Sequence, residues 1–251
     1  MTDIILCGAN GKMGRFISAV VEKRSDSRIV AGVDLNTESQ NGYPIFKSID
    51  EINLKANVII DFSHPSLLDS LLAYSTKNNL ALVLATTGYS AEQTAKIREA
   101  SKSTPIFFTF NMSLGINLLV CLAKKAASVL SDGFDIEIIE KHHNQKIDAP
   151  SGTAIMLAEA INETFDNKKY YEFDRHSKRQ KRSQKEIGIH SVRGGTIVGE
   201  HDVIFAGHDE VITLSHHAAS KEVFAEGAVK AAVFMNGKCA GLYSMNNILE
   251  F

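Results

Sequence analysis

The sequence lacks what a membrane-spanning, secreted or disulfide-stapled protein needs. No apolar run approaches the roughly 20 residues of a membrane span, and the best candidate, Leu114 to Leu130, is interrupted by Lys124 and Lys125. Met1-Thr2-Asp3 runs straight into Ile4-Ile5-Leu6 without a basic n-region or a small-residue cleavage site, so a cytoplasmic rather than a secreted protein is expected. Cysteine is scarce. Cys7, Cys121 and Cys239 are odd in number, far apart and set in apolar surroundings, which predicts reduced, buried thiols and neither a disulfide framework nor a zinc site. An excess of one charge is missing as well: 27 basic and 29 acidic residues leave −2, with no global pull toward nucleic acid or an anionic membrane. There is no internal repeat and no helix-turn-helix pattern, and the partner expected is a small molecule.

With 44% hydrophobic and 22% charged residues, the 251-residue chain has the composition of an ordinary globular protein, long enough for two domains. Through residues 1–111, apolar runs of strand length alternate with segments of helical period. Strands are predicted at Asp3 to Gly8, Arg28 to Asp34, Asn57 to Ser63, Leu80 to Thr86 and Pro105 to Phe110. Helices fall over Lys12 to Glu22, near Ser66 to Lys77, and over Ala91 to Ser101, the last opened by a capping box of Ser90 and Gln93. Alternating β and α with continuously apolar strands predicts a doubly wound parallel sheet of Rossmann-like type.

After Met112 the rhythm changes. A long helix from Leu114 to Leu130 leads to a strand at Phe134 to Glu140, a polar loop and a helix opening near Ser151. Three strands without intervening helices follow at Ile187 to Val192, Ile197 to Ala206 and Glu210 to His217, predicting an α+β domain with a mostly antiparallel sheet. A last helix spans Lys221 to Asn236 with Gly237 as its C-cap residue. The run Arg175 to Lys185, basic and without interleaved aromatics, reads as a solvated loop that could help attract an anionic substrate.

Two clusters carry chemistry. Gly8-Ala9-Asn10-Gly11-Lys12-Met13-Gly14 sits where the first strand turns into the first helix, the place where glycines let backbone N–H groups approach a pyrophosphate. Asp34 ends the second strand about twenty residues on, where a carboxylate can accept from an adenosine ribose. The second cluster is Glu140-Lys141-His142-His143-Asn144-Gln145-Lys146-Ile147-Asp148-Ala149-Pro150-Ser151-Gly152-Thr153. Two imidazoles, an ammonium and a helix N-terminus within one segment suit an anionic substrate. Adjacent histidines seldom converge on one ion from an extended segment, and no further His or Cys lies at ligand spacing, so no metal is expected.

Together with Asp61-Phe62-Ser63, Thr86-Thr87-Gly88, Asn111-Met112-Ser113-Leu114-Gly115, Val192-Arg193-Gly194-Gly195 and Val198-Gly199-Glu200-His201, these segments resemble the dihydrodipicolinate reductase family over essentially the whole chain. The resemblance implies a Rossmann domain over 1–111 completed by 222–251, and a substrate and tetramerisation domain over 112–221 of a homotetramer. It implies NADH- or NADPH-dependent reduction of a cyclic dicarboxylate, 4-hydroxy-tetrahydrodipicolinate, in the diaminopimelate route to lysine. Gly8, Ala9, Asn10, Gly11, Lys12 and Met13 match the pyrophosphate segment and Asp34 the ribose position. Ala85, Thr86 and Thr87 with Thr109, Phe110, Asn111 and Met112 match the nicotinamide side. His142 matches the proton donor, Lys146 the catalytic lysine, and His143, Gly152 and Thr153 the substrate contacts. Ala85 stands where the family often has Gly, His64 where some members have Arg, and Asn36 where some carry an Arg for a 2′-phosphate. Asp34 without that Arg favours NADH, with NADPH still usable. A related nicotinamide enzyme acting on another small anion is the alternative reading, and a non-catalytic nucleotide-sensing regulator is a further one.

Overall fold

A computed structural model describes residues 1–39 and 41–249, with side chains except at Asp132. In chain order the elements are β1 (Thr2–Cys7), α1 (Lys12–Glu22), β2 (Ser27–Val33), β3 (Ile45–Phe46), β4 (Val58–Asp61), α2 (Leu68–Asn78), β5 (Ala81–Leu84), α3 (Ala91–Ala100) and β6 (Pro105–Phe108). They continue as α4 (Leu114–Leu130), β7 (Asp135–His142), α5 (Gly152–Glu163), β8 (Tyr170–Glu172), β9 (Glu186–Arg193), β10 (Gly199–Ala206), β11 (Val211–Ala218), α6 (Glu222–Met235), β12 (Gly241–Tyr243) and α7 (Met245–Leu249). Two compact units result: Met1–Leu114 with Lys221–Phe251, and Gly115–Ser220.

The first unit is built on a parallel sheet in the order β12-β6-β5-β4-β1-β2-β3. Its central strands are apolar on both faces because both are covered. On one side, Ile4, Leu6, Ile60 and Val83 pack with Ile17 and Val20 of α1 and with Ala225, Ala228, Val229 and Ala232 of α6. On the other, Ile5, Ile59, Leu82 and Leu84 pack with Leu68 and Leu71 of α2 and Ile97 of α3. The alanine-rich face of α6 thus has its burial in this unit, although more than a hundred residues separate it from β6. Strand order reverses between β1 and β4, so the turns leaving these two strands are where a crevice opens. The Ser90–Gln93 capping box forms at α3 as its sequence predicts.

The second unit is a sheet in the order β11-β10-β7-β9-β8, with α4 and α5 contributing Leu119, Ala123, Ala154, Leu157 and Ile161 to one core beneath it. The antiparallel expectation is met along β7-β10-β11 and refined at the other side, where β9 runs parallel to β7, and β8 parallel to β9. The reason is two crossovers, since α5 carries the chain from β7 back to the start of β8 and the segment 173–185 carries it from β8 back to the start of β9, so all three strands run the same way. The two-residue β3 and three-residue β8 and β12 are too short to carry a period in sequence.

Two expectations change. Cys7 is buried, but Cys121 is half-buried and Cys239 is exposed beyond α6. Nor is the basic run uniformly solvated. Arg182 donates to Glu137 Oε1 (2.9 Å), Asp135 Oδ1 (2.8 Å) and the carbonyls of Ile136 (2.7 Å) and Glu186 (2.9 Å), tying the loop to β7 and β9. Among the described residues no helix is long and apolar enough to cross a membrane.

Candidate active site

In the first unit the glycine turn lies against the turn that leaves β4. Gly8 has φ +78, and a Cβ there would come within 2.6 Å of the Phe62 carbonyl oxygen. At Gly14 it would come within 2.3 Å of the carbonyl oxygens of both Gly8 and Ala9, so helix α1 starts closer to the turn than any side chain allows. Asp34 accepts from the Asn10 N–H at 2.9 Å and from the Asn36 N–H at 3.1 Å. The Asn10 side chain in turn donates to the carbonyls of Asn36 (2.6 Å) and Glu38 (3.0 Å), leaving its buried Oδ1 without a partner. The Asp34 carboxylate therefore also holds the shape of the glycine turn. Helix α1 has Gly11 as its N-cap residue, so it starts without a side-chain cap and without an acidic residue in its first turn, and Lys12 at its start is exposed. An uncapped helix start over a glycine cradle fits an anionic group such as a pyrophosphate.

A cavity of about 360 Å³ adjoins this turn, lined by Met13, Ala85, Thr86, Thr87, Thr109, Phe110, Asn111 and Met112 of the expected cofactor residues. Sequence reasoning missed Phe62, Ser63, Lys221 and Phe224, which complete the wall. Behind it lies buried Asp61, which accepts from the hydroxyls of Thr86 (2.7 Å), Tyr89 (3.1 Å) and Ser63, and from the Ser63 N–H (3.1 Å). Burial raises the Asp61 carboxyl above its ordinary range, and these neutral donors offset only part of the effect.

In the second unit, β7 alternates half-buried and buried residues, so that Ile136, Ile138, Glu140 and His142 share the inner face. Register then selects their neighbours. His142 lies opposite Arg193 on β9, and Glu140 lies opposite His201 on β10. Glu140, fully buried, accepts from Arg193 through both Nη1 (2.8 Å) and Nη2 (2.7 Å), from the Ser151 N–H (3.0 Å), and bonds His142 Nδ1 at 2.6 Å. Burial pushes its carboxyl up, but these bonds outweigh it and hold Glu140 down at about 2. His201 packs edge-on to His142 at 5.3 Å between ring centroids, with Nε2 bonded to Ser151 Oγ at 3.0 Å. Its burial brings it down to about 4.

His142 is itself lowered below the usual imidazole value, first by burial, against the pull of Glu140 and helped by the charges of Lys146 and Arg193. Lys146 Nζ pairs with Asp148 Oδ1 at 2.9 Å. His143 is half-buried next to His142, and α5 opens at exposed Gly152 and half-buried Thr153, capped by Ser151 Oγ accepting from the Ala154 N–H at 3.2 Å. His142, His143, Lys146, Gly152 and Thr153 thus gather at one end of the second unit, around the end of β7 and the start of α5. Sequence reasoning did not single out Glu140, Arg193, Ser151 or His201 as functional. A signal existed for the first, since a Glu two residues before a His in a strand must share its face.

A glycine turn at the switch point of a parallel sheet, with a second unit presenting imidazole, ammonium and a helix start, defines an oxidoreductase of the two-domain dinucleotide-binding class. Comparison with known proteins narrows this. The N-terminal model of dihydrodipicolinate reductase matches residues 2–112 and the C-terminal model residues 115–249. A 4-hydroxy-tetrahydrodipicolinate reductase of Caldanaerobacter subterraneus subsp. tengcongensis is 50% identical over 100% of this chain and 99% of its own. One of Clostridium tetani is 51% identical over 100% of this chain and 98% of its own. Among solved structures, a dipicolinate-bound dihydrodipicolinate reductase from Paenisporosarcina sp. TG-14 superposes with TM-score 0.83 at 27% identity, covering 99% of each chain. An aspartate dehydrogenase from Thermotoga maritima, with TM-score 0.54 and 9% identity over 95% of this chain and 98% of its own, shares the fold alone. The chain belongs to the dihydrodipicolinate reductase family, nicotinamide-dependent oxidoreductases of lysine biosynthesis.

Proposed function

We propose that the chain reduces 4-hydroxy-tetrahydrodipicolinate to tetrahydrodipicolinate with NADH or NADPH, in the diaminopimelate route to lysine, as a cytoplasmic homotetramer. The observation that carries the reading is the segment from Glu140 to Thr153, in which a buried imidazole, an ammonium and an exposed helix start lie together on the end of one sheet. A ring dicarboxylate, the class represented by the dipicolinate bound to the Paenisporosarcina relative, has two anionic groups for such a surface. The start of α5 at Gly152 and Thr153 suits one carboxylate, and Lys146 with His143 suits the other.

The residues of the first unit fit the cofactor: the turn from Gly8 to Met13 suits its pyrophosphate, Asp34 its ribose, and the cavity from Ala85 to Met112 its nicotinamide. Reduced nicotinamide supplies a hydride when bound. Once the 4-hydroxyl has left the ring as water, a hydride arriving at the ring carbon then conjugated to the imine leaves excess electron density on a neighbouring carbon, which must take a proton. His142 is the group for this, because Nδ1 is engaged by Glu140 and Nε2 is left for exchange. Burial works against the imidazolium of His142, and the two carboxylates of a bound substrate favour it, so substrate binding opposes that lowering. Lys146 offers a charge to the anionic substrate and to its more electron-rich transition state.

Asp34 favours NADH over NADPH by repelling a 2′-phosphate, with exposed Lys12 offsetting part of the repulsion. Loss of reduced-cofactor absorbance with substrate generated from pyruvate and aspartate semialdehyde tests the whole reading. No turnover with either cofactor would refute it.

A further inference from the structure

The environment of His142 is more specific than proton donation alone requires. Four different elements meet at it: Glu140 on its own strand, Arg193 on β9, Gly199 and His201 on β10, and the loop that bears Lys146 and Asp148. All but one of these neighbours are polar, and His142 and Arg193 bond the same buried carboxylate, that of Glu140. Glu140 is an acceptor only, because the Arg193 guanidinium and the Ser151 N–H keep it ionised. Its 2.6 Å bond to His142 Nδ1 must then be donated by the imidazole. A neutral imidazole carries one proton, so with Nδ1–H spent on Glu140 the lone pair resides on Nε2.

We propose that Glu140, itself fixed by Arg193, is the positioning residue that selects the Nδ1–H tautomer of His142 and so makes Nε2 the atom that exchanges the reaction's proton. Gly199 is the complementary element. It lies beside the imidazole at the start of β10, and a Cβ there would stand 3.1 Å from His142 Nε2 and 3.4 Å from its Cδ2. The backbone of Gly199 does not require glycine by its φ, so the missing side chain is accounted for by the imidazole it would crowd. Arg193 also donates to the Asp148 carbonyl at 2.6 Å. One guanidinium thereby ties the carboxylate behind His142 to the loop that carries Lys146.

The inference rests on the function proposed above, but its first test does not depend on turnover. Nitrogen-15 correlation spectra of the imidazoles in the whole wild-type chain at pH 8, with His142 assigned by its loss in His142→Gln, should show His142 as the Nδ1–H tautomer. An Nε2–H tautomer overturns the proposal whatever the activity. In Glu140→Gln the single amide oxygen is drawn to Arg193 and the amide N–H₂ faces His142, so the tautomer should reverse. There kcat should fall by at least about 10²-fold while the KM for reduced cofactor stays within about twofold. The alkaline limb of the pH profile should also move to lower pH, since the carboxylate that favours the imidazolium is gone. An unchanged tautomer, or wild-type kcat and pH limb, overturns the proposal even if stability falls. Gly199→Ala retains every hydrogen-bonding group and should lower kcat about tenfold, because small displacements of a reacting group are costly; wild-type kcat there would remove Gly199 from the arrangement. If the wild type itself reduces no substrate, the function is refuted while the tautomer is still decided by the spectra.

Discussion

Asp61 and Glu140 are two solvent-excluded carboxylates whose acidities are shifted in opposite directions. Each is fully buried, each lies at or near the end of a central strand, and each accepts several hydrogen bonds behind a candidate site. Yet Asp61 is raised and Glu140 is lowered to about 2. Asp61 is held by three hydroxyls and an N–H, none of them charged, whereas Glu140 has the bidentate guanidinium of Arg193. Burial pushes both carboxyls up, and at Glu140 the bonds led by the Arg193 guanidinium outweigh it, whereas the neutral donors at Asp61 do not. The first unit thus shapes a wall with a polar hub, while the second keeps a fixed negative charge next to an imidazole.

The largest expected effect comes from taking the imidazole away from that charge. His142→Gln should lower kcat by about 10²- to 10⁴-fold with cofactor binding nearly unchanged, read by steady-state kinetics and cofactor fluorescence titration. Near-normal turnover would remove His142 as the proton donor.

Breaking the other side of the pair comes next. Arg193→Ala leaves Glu140 buried with no cation bonded to it and should cost about 3 to 5 kcal/mol of stability in urea unfolding at pH 7. The sign with pH follows from the depressed carboxyl. Stability conferred on Glu140 is complete above its unfolded value of about 4.5 and is lost as pH falls through about 2. The deficit of Arg193→Ala should therefore shrink as the medium is acidified.

Asp61→Asn sharpens the comparison because it should behave in the opposite sense. Hydroxyls can turn to accept as well as donate, so the cost should be only about 1 to 3 kcal/mol. Since the folded value is raised, ionisation in the wild type costs stability as pH rises from 3.8 through that value. The deficit of Asp61→Asn should be largest in acid and shrink toward neutrality. Parallel pH trends for the two variants would show that partner charge is not what separates the carboxylates.

The smallest effect concerns the cofactor. NADH should be preferred over NADPH by less than about tenfold in kcat/KM, because the repulsion between Asp34 and a 2′-phosphate is partly offset by Lys12 and weakened by solvent. Kinetics with both cofactors at low and high salt check this, and a tenfold preference for NADPH in both would remove Asp34 from the ribose position.

Period and punctuation alone determined much of this protein. Helix α1 and helix α4 have the bounds their apolar pattern dictates, the capping box at Ser90 forms, and the glycine turn falls where β1 gives way to α1. These are local matters, settled by residues within a few positions of one another. The segment from Glu140 to Thr153 was equally legible as chemistry, because its imidazoles, ammonium and helix start are contiguous. What tertiary structure decided is which distant residue meets them. Arg193 reaches Glu140 across 53 positions and His201 reaches Ser151 across 50, contacts set by strand register and by the parallel return of β9. Strand periodicity says which side chains share a face and nothing about which strand lies next to it, since any apolar strand satisfies the same burial. The opposite behaviour of Asp61 and Glu140 is of that kind, because it depends on a cation brought up by a neighbouring strand.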